Sequence, residues 1–178
     1  MSENLYKALL LRFESLEAEL NALDAATGDG DHGSTMLKGL QAVVNDFENP
    51  AKSFRRAAGG ASGSIFSVVL GALDQCEKEQ VTLSEALHAA AVRITALGQA
   101  VAGDKTMLDA LLPAADAVTI ADAAKAARDG AAATRDMAAK RGRAKYVEGK
   151  GVGHIDAGAR SIAEMLEVFA ECSAQGGV

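Results

Sequence analysis

The chain has 178 residues, of which 49% are hydrophobic and only 4% are aromatic. This length allows one well-packed core but not two ordinary domains and a linker, so we expect a single domain over residues 1–178. The formal charge of −6 argues against a general nucleic-acid binder, which needs clustered Lys and Arg.

The two cysteines, Cys76 and Cys172, lie far apart and lack a CxxC or Cys/His pattern. A disulfide scaffold or a zinc site is therefore not expected, and a reducing compartment fits. The apolar N-terminal stretch is interrupted by acidic residues, and no small-residue cleavage site follows it. No apolar run approaches the roughly 20 residues that cross a bilayer. We expect a soluble cytoplasmic protein that makes no membrane contact.

Apolar residues at steps of three and four predict most of the helices in chain order. The opening stripe consists of Leu5, Leu9, Phe13, Leu16, Leu20 and Leu23. A second helix is predicted over residues 36–47, ended by Asn49 and Pro50. A Gly-rich break, GGASGS, follows at residues 59–64 and precedes an apolar run over residues 65–73. Thr82 and Glu85 then suit a capping box for a helix over residues 83–101.

The second half of the chain continues with helical patterns, one long loop and a last helix. Residues 108–118 predict a helix with a kink at Pro113, and residues 121–141 predict an Ala-rich helix. Residues 141–158, with sequence RGRAKYVEGKGVGHIDAG, predict a long loop of the kind that forms functional lids. Asp156 is expected to cap the last helix. No alternating strand pattern occurs, so we predict an all-α bundle of seven or eight antiparallel helices, in which alternate loops share one end.

An acidic loop lies between the first two predicted helices. Asp24, Asp29 and Asp31 fall within eight residues and are interspersed with glycines. Carboxylates are hard ligands that suit Mg²⁺ or Ca²⁺, but a loop counted from Asp29 has Leu40 where an EF-hand needs Glu. Because Mg²⁺ takes its remaining ligands from water and phosphates, this loop favours a Mg-nucleotide site. The alternative is a helix start with solvated acids.

Two standard nucleotide motifs do not fit their context. Gly28, Gly30 and Gly33 satisfy G-x-G-x-x-G, but they follow a helical stripe and not a strand. Residues 98–106, GQAVAGDKT, resemble a P-loop, but Asp104 separates the Gly from the Lys. Glycine loops at helix starts can still bind phosphate through backbone N–H groups, and residues 33–35 and 61–64 are candidates.

The basic and histidine residues near these loops have alternative interpretations. His32 is a candidate catalytic base, a hydrogen-bond donor to a phosphate, or a residue that fixes the loop. Arg141, Arg143, Lys145 and Lys150 form either a solvated face or a lid that supplies cations to a phosphate.

Five motifs in order resemble the L subunit of dihydroxyacetone kinase, DhaL, and the equivalent C-terminal domain of single-chain ATP-dependent enzymes. These are LDAATGDGDHG, GGASG, GDKTM, KRGRAKY and GHIDAGA, over residues 23–159. Fatty-acid kinase subunits share the aspartates but typically read DGDTG, and here His32 stands at that Thr position. Ala157 replaces a proline typical of the lid base, and several segments are shorter than in typical members.

The resemblance implies a closed barrel of about eight antiparallel helices that holds ADP or ATP and two Mg²⁺ ions at one end. It implies Asp24, Asp29 and Asp31 as metal ligands and Arg143 as a catalytic cation. The nucleotide-binding residues that it implies are His32, Gly33, Ser34, Thr35, Ala61, Ser62, Gly98, Met107, Arg143, Asp156 and Gly158. It also implies a separate K-type subunit that binds the ketose through a histidine, and the phosphate donor is either ATP or a phosphohistidine carrier subunit.

The mechanism expected from this resemblance is in-line phosphoryl transfer to a small ketose such as dihydroxyacetone. Two other functions remain open at the level of sequence. One is a non-enzymatic nucleotide-bound co-regulator, and the other is a plain helical interaction module without Mg-dependent nucleotide binding.

Overall fold

A computed structural model describes residues 2–78 and 81–175, excluding the side chains of Ser2 and Arg143. Within these ranges there are eight α-helices and no β-strand. The helices are α1 (Ser2–Ala25), α2 (His32–Asn45), α3 (Pro50–Ala58), α4 (Gly60–Glu77), α5 (Leu83–Gly98), α6 (Leu108–Ala115), α7 (Ile120–Ala133) and α8 (Ala157–Gln175). Three short 3-10 helices, Thr134–Asp136, Arg143–Tyr146 and Glu148–Gly151, lie between α7 and α8.

The helices form a closed ring. Each helix packs against the next one in the chain, and α8 packs back against α1. Short connections between neighbouring helices alternate their direction, so the loops α1–α2, α3–α4, α5–α6 and α7–α8 lie at one end of the barrel. The all-α class and the closed antiparallel barrel expected from the sequence are confirmed.

The core consists mainly of Leu, Ala and Val with a few large side chains. Leu5, Leu9, Phe13 and Leu20 of the opening stripe are fully buried. Many buried positions are alanines on α5 to α8, and small side chains allow the helices to approach closely. At Gly130 the contact is closest, because a Cβ there would lie 2.2 Å from the backbone oxygen of Asp109 on α6.

Several predicted helix boundaries are wrong. The second helix ends at Asn45, and Pro50 begins α3. Proline is tolerated in a first helical turn because the N–H that it lacks would have no intrahelical acceptor there. Residues 60–64 of the predicted Gly-rich break form the first turn of α4. The predicted helix over residues 121–141 ends at Ala133. Pro113 lies inside α6, near its C-terminal end.

Two predicted caps are confirmed. Thr82 and Glu85 form the reciprocal capping box at the start of α5. Asp156 Oδ2 accepts the backbone N–H of Ala159 at 2.7 Å in the first turn of α8. Among the described residues, none of the helices has the length and apolar character that a bilayer crossing requires.

Candidate functional site

A cleft of about 230 Å³ lies where the four loops at one end of the barrel meet. Its lining comes from each loop or from the first turn of the helix that follows: Asp24, Thr27, Gly28 and His32 at α1–α2, Ala61 and Ser62 at α3–α4, Lys105, Thr106 and Met107 at α5–α6, and Arg141, Gly142, Ala144, Asp156, Ala157 and Gly158 at α7–α8. The convergence of alternate loops, which the bundle topology predicted, is therefore present. It brings acidic, basic and backbone amide groups to one place.

The three aspartates of the acidic loop lie together, and Asp24 lines this cleft. One carboxylate oxygen of each lies within 4.8 Å of the others. The loop wraps around Asp24, whose Oδ2 accepts the backbone N–H groups of Gly30 at 2.9 Å and Asp31 at 3.1 Å. A Cβ at Gly28 would lie 2.5 Å from Asp24 Oδ1, so this close turn requires glycine. The carboxyl oxygens are a hard donor set that fits a divalent cation such as Mg²⁺.

The helices that follow these four loops all begin at the cleft. The first amide N–H groups of a helix have no intrahelical acceptor, and the helix dipole makes this end positive. At α4 the residue before the helix is Gly59, which has no side chain to cap it, and Ala61 and Ser62 of the first turn line the cleft. Such helix starts are suited to binding phosphate oxygens.

His32 lies under the cleft as a buried, neutral ring. Its Nε2 lies 2.8 Å from Ser161 Oγ of α8, and its ring packs against Phe66 of α4 with centroids 5.5 Å apart. Burial lowers the pKa of His32 to about 4, although the nearby Asp24 opposes this shift. A histidine that is neutral at physiological pH and bonded to another helix fits the loop-fixing and hydrogen-bonding interpretations better than that of a free catalytic base.

Lys105 is a site residue that the analysis of sequence did not single out. Its side chain is buried, lines the cleft, and donates to the backbone oxygens of Thr134 and His154, each at 2.5 Å. Burial lowers the pKa of Lys105, while Asp156, Asp136 and Asp109 oppose this shift. Its place in the GDKTM motif, one of the five that carry the family resemblance, is the signal that could have identified it.

The loop before α6 anchors the base of the lid, which comprises residues 137–156. The Lys140 N–H donates to the Asp104 backbone oxygen at 3.1 Å, and Arg141 Nε lies 3.3 Å from Asp104 Oδ2. Lys140 Nζ also donates to the Gly103 oxygen at 2.9 Å. Arg141 and Lys140 are exposed but both are bonded to this loop, so the lid is held at its start and, through Lys105, near its end.

Asp156 joins the lid to α8 beside the acidic loop. Its backbone N–H donates to Thr134 Oγ1 at 2.9 Å. Burial raises the pKa of Asp156 to about 6; the Ala159 N–H and Lys105 oppose this shift, and Asp109 and Asp24 add to it. A cluster of carboxyl groups is therefore concentrated at this end of the barrel, where it would attract a cation.

The remaining candidate residues divide into two groups. Ala61, Ser62, Met107, Asp156 and Gly158 line the cleft together with Asp24 and His32. Six described candidates are absent from its lining: Asp29, Asp31, Gly33, Ser34, Thr35 and Gly98.

Ser34 illustrates why part of the first turn of α2 faces away. Its N–H donates to Asn21 Oδ1 at 3.1 Å, and its hydroxyl donates to Glu17 Oε1 at 2.7 Å, so it faces α1. Gly33 packs on the same side, where a Cβ would lie 2.3 Å from the Glu17 oxygen. Gly98 is an exposed residue at the end of α5. The backbone of Arg143 begins a 3-10 helix in the lid, but its side chain lies outside the described residues.

Comparison with known proteins places this barrel and its loops in one family. The DAK2 domain family matches residues 26–171. The ADP-binding subunit DhaL of a PTS-dependent dihydroxyacetone kinase from Lactococcus lactis is 30% identical over 173 residues, which cover 90% of both chains. L-erythrulose 1-kinase from Mycolicibacterium smegmatis is 34% identical over 184 residues, which cover 87% of this chain and 32% of that enzyme.

A solved structure shows the same fold. The dihydroxyacetone kinase from C. freundii, in complex with AMP-PNP and Mg²⁺, aligns with a TM-score of 0.76 at 27% identity, over 96% of this chain and 33% of that enzyme. This chain thus spans about a third of those two longer enzymes, but nine tenths of the lactococcal subunit. The resemblance inferred from the five motifs is confirmed: the chain belongs to the DAK2 domain family and is of the DhaL type.

Proposed function

We propose that this chain is the nucleotide-binding subunit of a dihydroxyacetone kinase-type phosphotransferase and passes phosphate to a small ketose held by a separate K-type subunit. The observation that carries the proposal is that three carboxylates, Asp24, Asp29 and Asp31 (the acidic trio), lie close together beside a cleft where α2, α4, α6 and α8 begin. Carboxylates beside open amide N–H groups suit a ligand that is itself a cation bound to phosphates.

Asp24, Asp29 and Asp31 would hold Mg²⁺. One ligand oxygen of each lies within 4.8 Å of those of the other two, close enough for all three to act at one metal centre. When bound, Mg²⁺ neutralises charge on nucleotide phosphates and orients their oxygens. The AMP-PNP and Mg²⁺ of the C. freundii enzyme support this assignment.

The protein groups around the phosphates act by binding and orientation. The amide groups of Ala61 and Ser62 bind phosphate oxygens, and His32, held by Ser161, contributes a neutral ring to the same cleft. Met107 and Gly158 contact the nucleoside part of the nucleotide, and Gly98 flanks the nucleotide from the end of α5. The lid excludes water, and Arg143 stabilises the negative charge that develops on the transferring group.

The acceptor and donor are assigned by similarity to relatives. Relatives named as dihydroxyacetone and erythrulose kinases indicate a three-carbon or four-carbon ketose. The lactococcal relative, which spans nearly the same length, is named as PTS-dependent, which favours a phosphohistidine carrier as donor over exchangeable ATP. His32 lines the cleft, but its ring Nε2 is bonded to Ser161, which argues against this histidine as the group that binds a ketose.

Calorimetry with Mg-ADP tests the metal assignment. Asp31→Asn removes one carboxylate charge from the trio and should weaken Mg-ADP binding at least about tenfold, or about 1.4 kcal/mol. Asp129→Asn is the matched control, because Asp129 is an exposed carboxylate on α7 that pairs with Lys125. Equal affinity for the two variants would refute the metal assignment.

Reconstitution tests the transfer reaction. The purified chain with a K-type subunit and dihydroxyacetone or erythrulose should form the ketose phosphate when supplied with ATP or a phosphoenolpyruvate-charged carrier. The chain alone should bind nucleotide and phosphorylate neither ketose. Phosphorylation by the isolated chain would contradict the two-component mechanism. Nucleotide binding without transfer, with every donor and K-type partner, would favour a co-regulator.

A further inference from the structure

A second and larger cavity, of about 690 Å³, lies on the wall of the barrel where α3, α4 and α5 pack side by side. Lys52, Arg55 and Arg56 line it from α3, and Arg93 lines it from α5. The helix between them, α4, contributes Gly71 and Ala72 to the lining. Among the residues that the structure describes, no acidic side chain lines this cavity, although the chain has 24 acidic and 18 basic residues.

The four cations converge without internal partners. Within the described part of the chain, none of them forms an ion pair or a side-chain hydrogen bond, whereas Arg12 and Arg160 both bond to carboxylates. Arg55 and Arg56 lie in the last turn of α3, where their positive charges interact favourably with the negative end of the helix dipole. That explanation does not extend to Lys52 in the first turn of α3 or to Arg93 within α5.

The cavity suits a small ligand in both size and chemistry. Its volume falls within the roughly 300–1,000 Å³ of small-molecule sites. Its alanine and glycine surface accepts a carbon skeleton, and guanidinium groups bind phosphate and carboxylate in the same forked geometry. Cations on both α3 and α5 favour a ligand with at least two negative groups over a single anion.

We propose that this cavity is a binding site for a small organic molecule that carries two or more phosphate or carboxylate groups. It is separate from the cleft of the acidic loop. The two sites nevertheless share α4: Phe66 lines the cleft, and the next residue, Ser67, lines the cavity. Arg55 also lies at the α3–α4 junction, where its backbone oxygen accepts the Gly59 N–H at 3.1 Å.

Calorimetric titration of the full chain in metal-free buffer tests the proposal with two probes, pyrophosphate and tricarballylate. At least one probe should bind the wild-type chain, and the tighter of the two identifies phosphate or carboxylate as the preferred group. Arg55→Gln/Arg93→Gln should reduce the affinity at least tenfold. The control Lys38→Gln/Lys125→Gln removes the same charge from exposed positions outside the cavity and should bind as the wild type does.

Two further variants keep the outcome decisive. Lys52→Gln alone should weaken binding severalfold, and it changes an exposed side chain that forms no hydrogen bond or ion pair with the other described residues. Asp31→Asn should leave probe binding unchanged, because it alters the other site. The proposal is overturned if neither probe binds the wild type, if the arginine double variant binds as tightly as the control, or if only Asp31→Asn changes the affinity.

Discussion

Replacing Lys105 by methionine should destabilise the protein and loosen the end of its lid. In the native chain, Lys105 Nζ donates to the backbone oxygens of Thr134 and His154. Methionine fills a similar volume but donates no hydrogen bond. The buried Thr134 oxygen keeps the backbone N–H of Met137 at 3.2 Å, whereas the partly buried His154 oxygen loses its Lys105 donor. Thr134 precedes the lid and His154 lies near its end, so this one side chain connects the two.

The magnitude follows from the two acceptors. A buried polar group left unbonded costs about 1–3 kcal/mol. Burial of the ammonium group, which lowers the pKa of Lys105, is itself unfavourable, and its removal offsets part of this loss. Since the Thr134 oxygen keeps one donor, we expect the free energy of unfolding to fall by about 1–3 kcal/mol.

Urea denaturation of Lys105→Met and of a matched control measures this difference. The control is Lys140→Met, because Lys140 is exposed and donates to a single backbone oxygen, that of Gly103. It should lose less than about 1 kcal/mol. Hydrogen exchange should accelerate at the Gly153 and Asp156 amides, which bond to Arg135 O and Thr134 Oγ1. Equal stability losses in the two variants, with unchanged amide exchange, would refute the bridging role of Lys105.

Three further predictions address the core, the buried histidine and the lid. Gly130→Ala places a Cβ 2.2 Å from the Asp109 oxygen and should lower the free energy of unfolding in urea by about 1–3 kcal/mol. The control Gly71→Ala, whose Cβ would lie 3.6 Å from its nearest neighbour, should be neutral or stabilising. Similar values for both variants would contradict the close α6–α7 contact. Folding lowers the pKa of His32 from 6.5 to about 4, so the free energy of unfolding should be highest above pH 6.5 and should fall by roughly 3 kcal/mol as the pH drops to 4 in metal-free buffer. His32→Gln should lack this pH-dependent component. An unchanged pH profile in the variant would show that the ring is not held neutral. Arg143→Ala should reduce ketose phosphorylation in the reconstituted system much more than Mg-ADP affinity, and full turnover would exclude a catalytic cation at this position.

The sequence predicted the residues of the acidic loop and the topology that brings the loops together. Helical periodicity and the lack of strand alternation predicted an all-α bundle, and alternation of direction then placed every second loop at the same end. Boundaries were less predictable, because glycine and proline occur both in loops and in first helical turns. Residues 60–64 and Pro50 were assigned to breaks for this reason, and both lie in helices.

Side-chain direction at the site was decided only by tertiary packing. The sequence places Ser34 two residues after His32, but in the folded chain His32 bonds to α8 at the cleft while Ser34 bonds to α1. Lys105 has no distinctive spacing, and its role depends on two backbone oxygens, 29 and 49 residues away, that the fold brings to it. The amino-acid sequence by itself thus determines which chemical groups are available and at which end of the barrel they lie. The packing of helices from distant parts of the chain determines which of those groups face the cleft, because burial and hydrogen bonding fix each side chain against its neighbours.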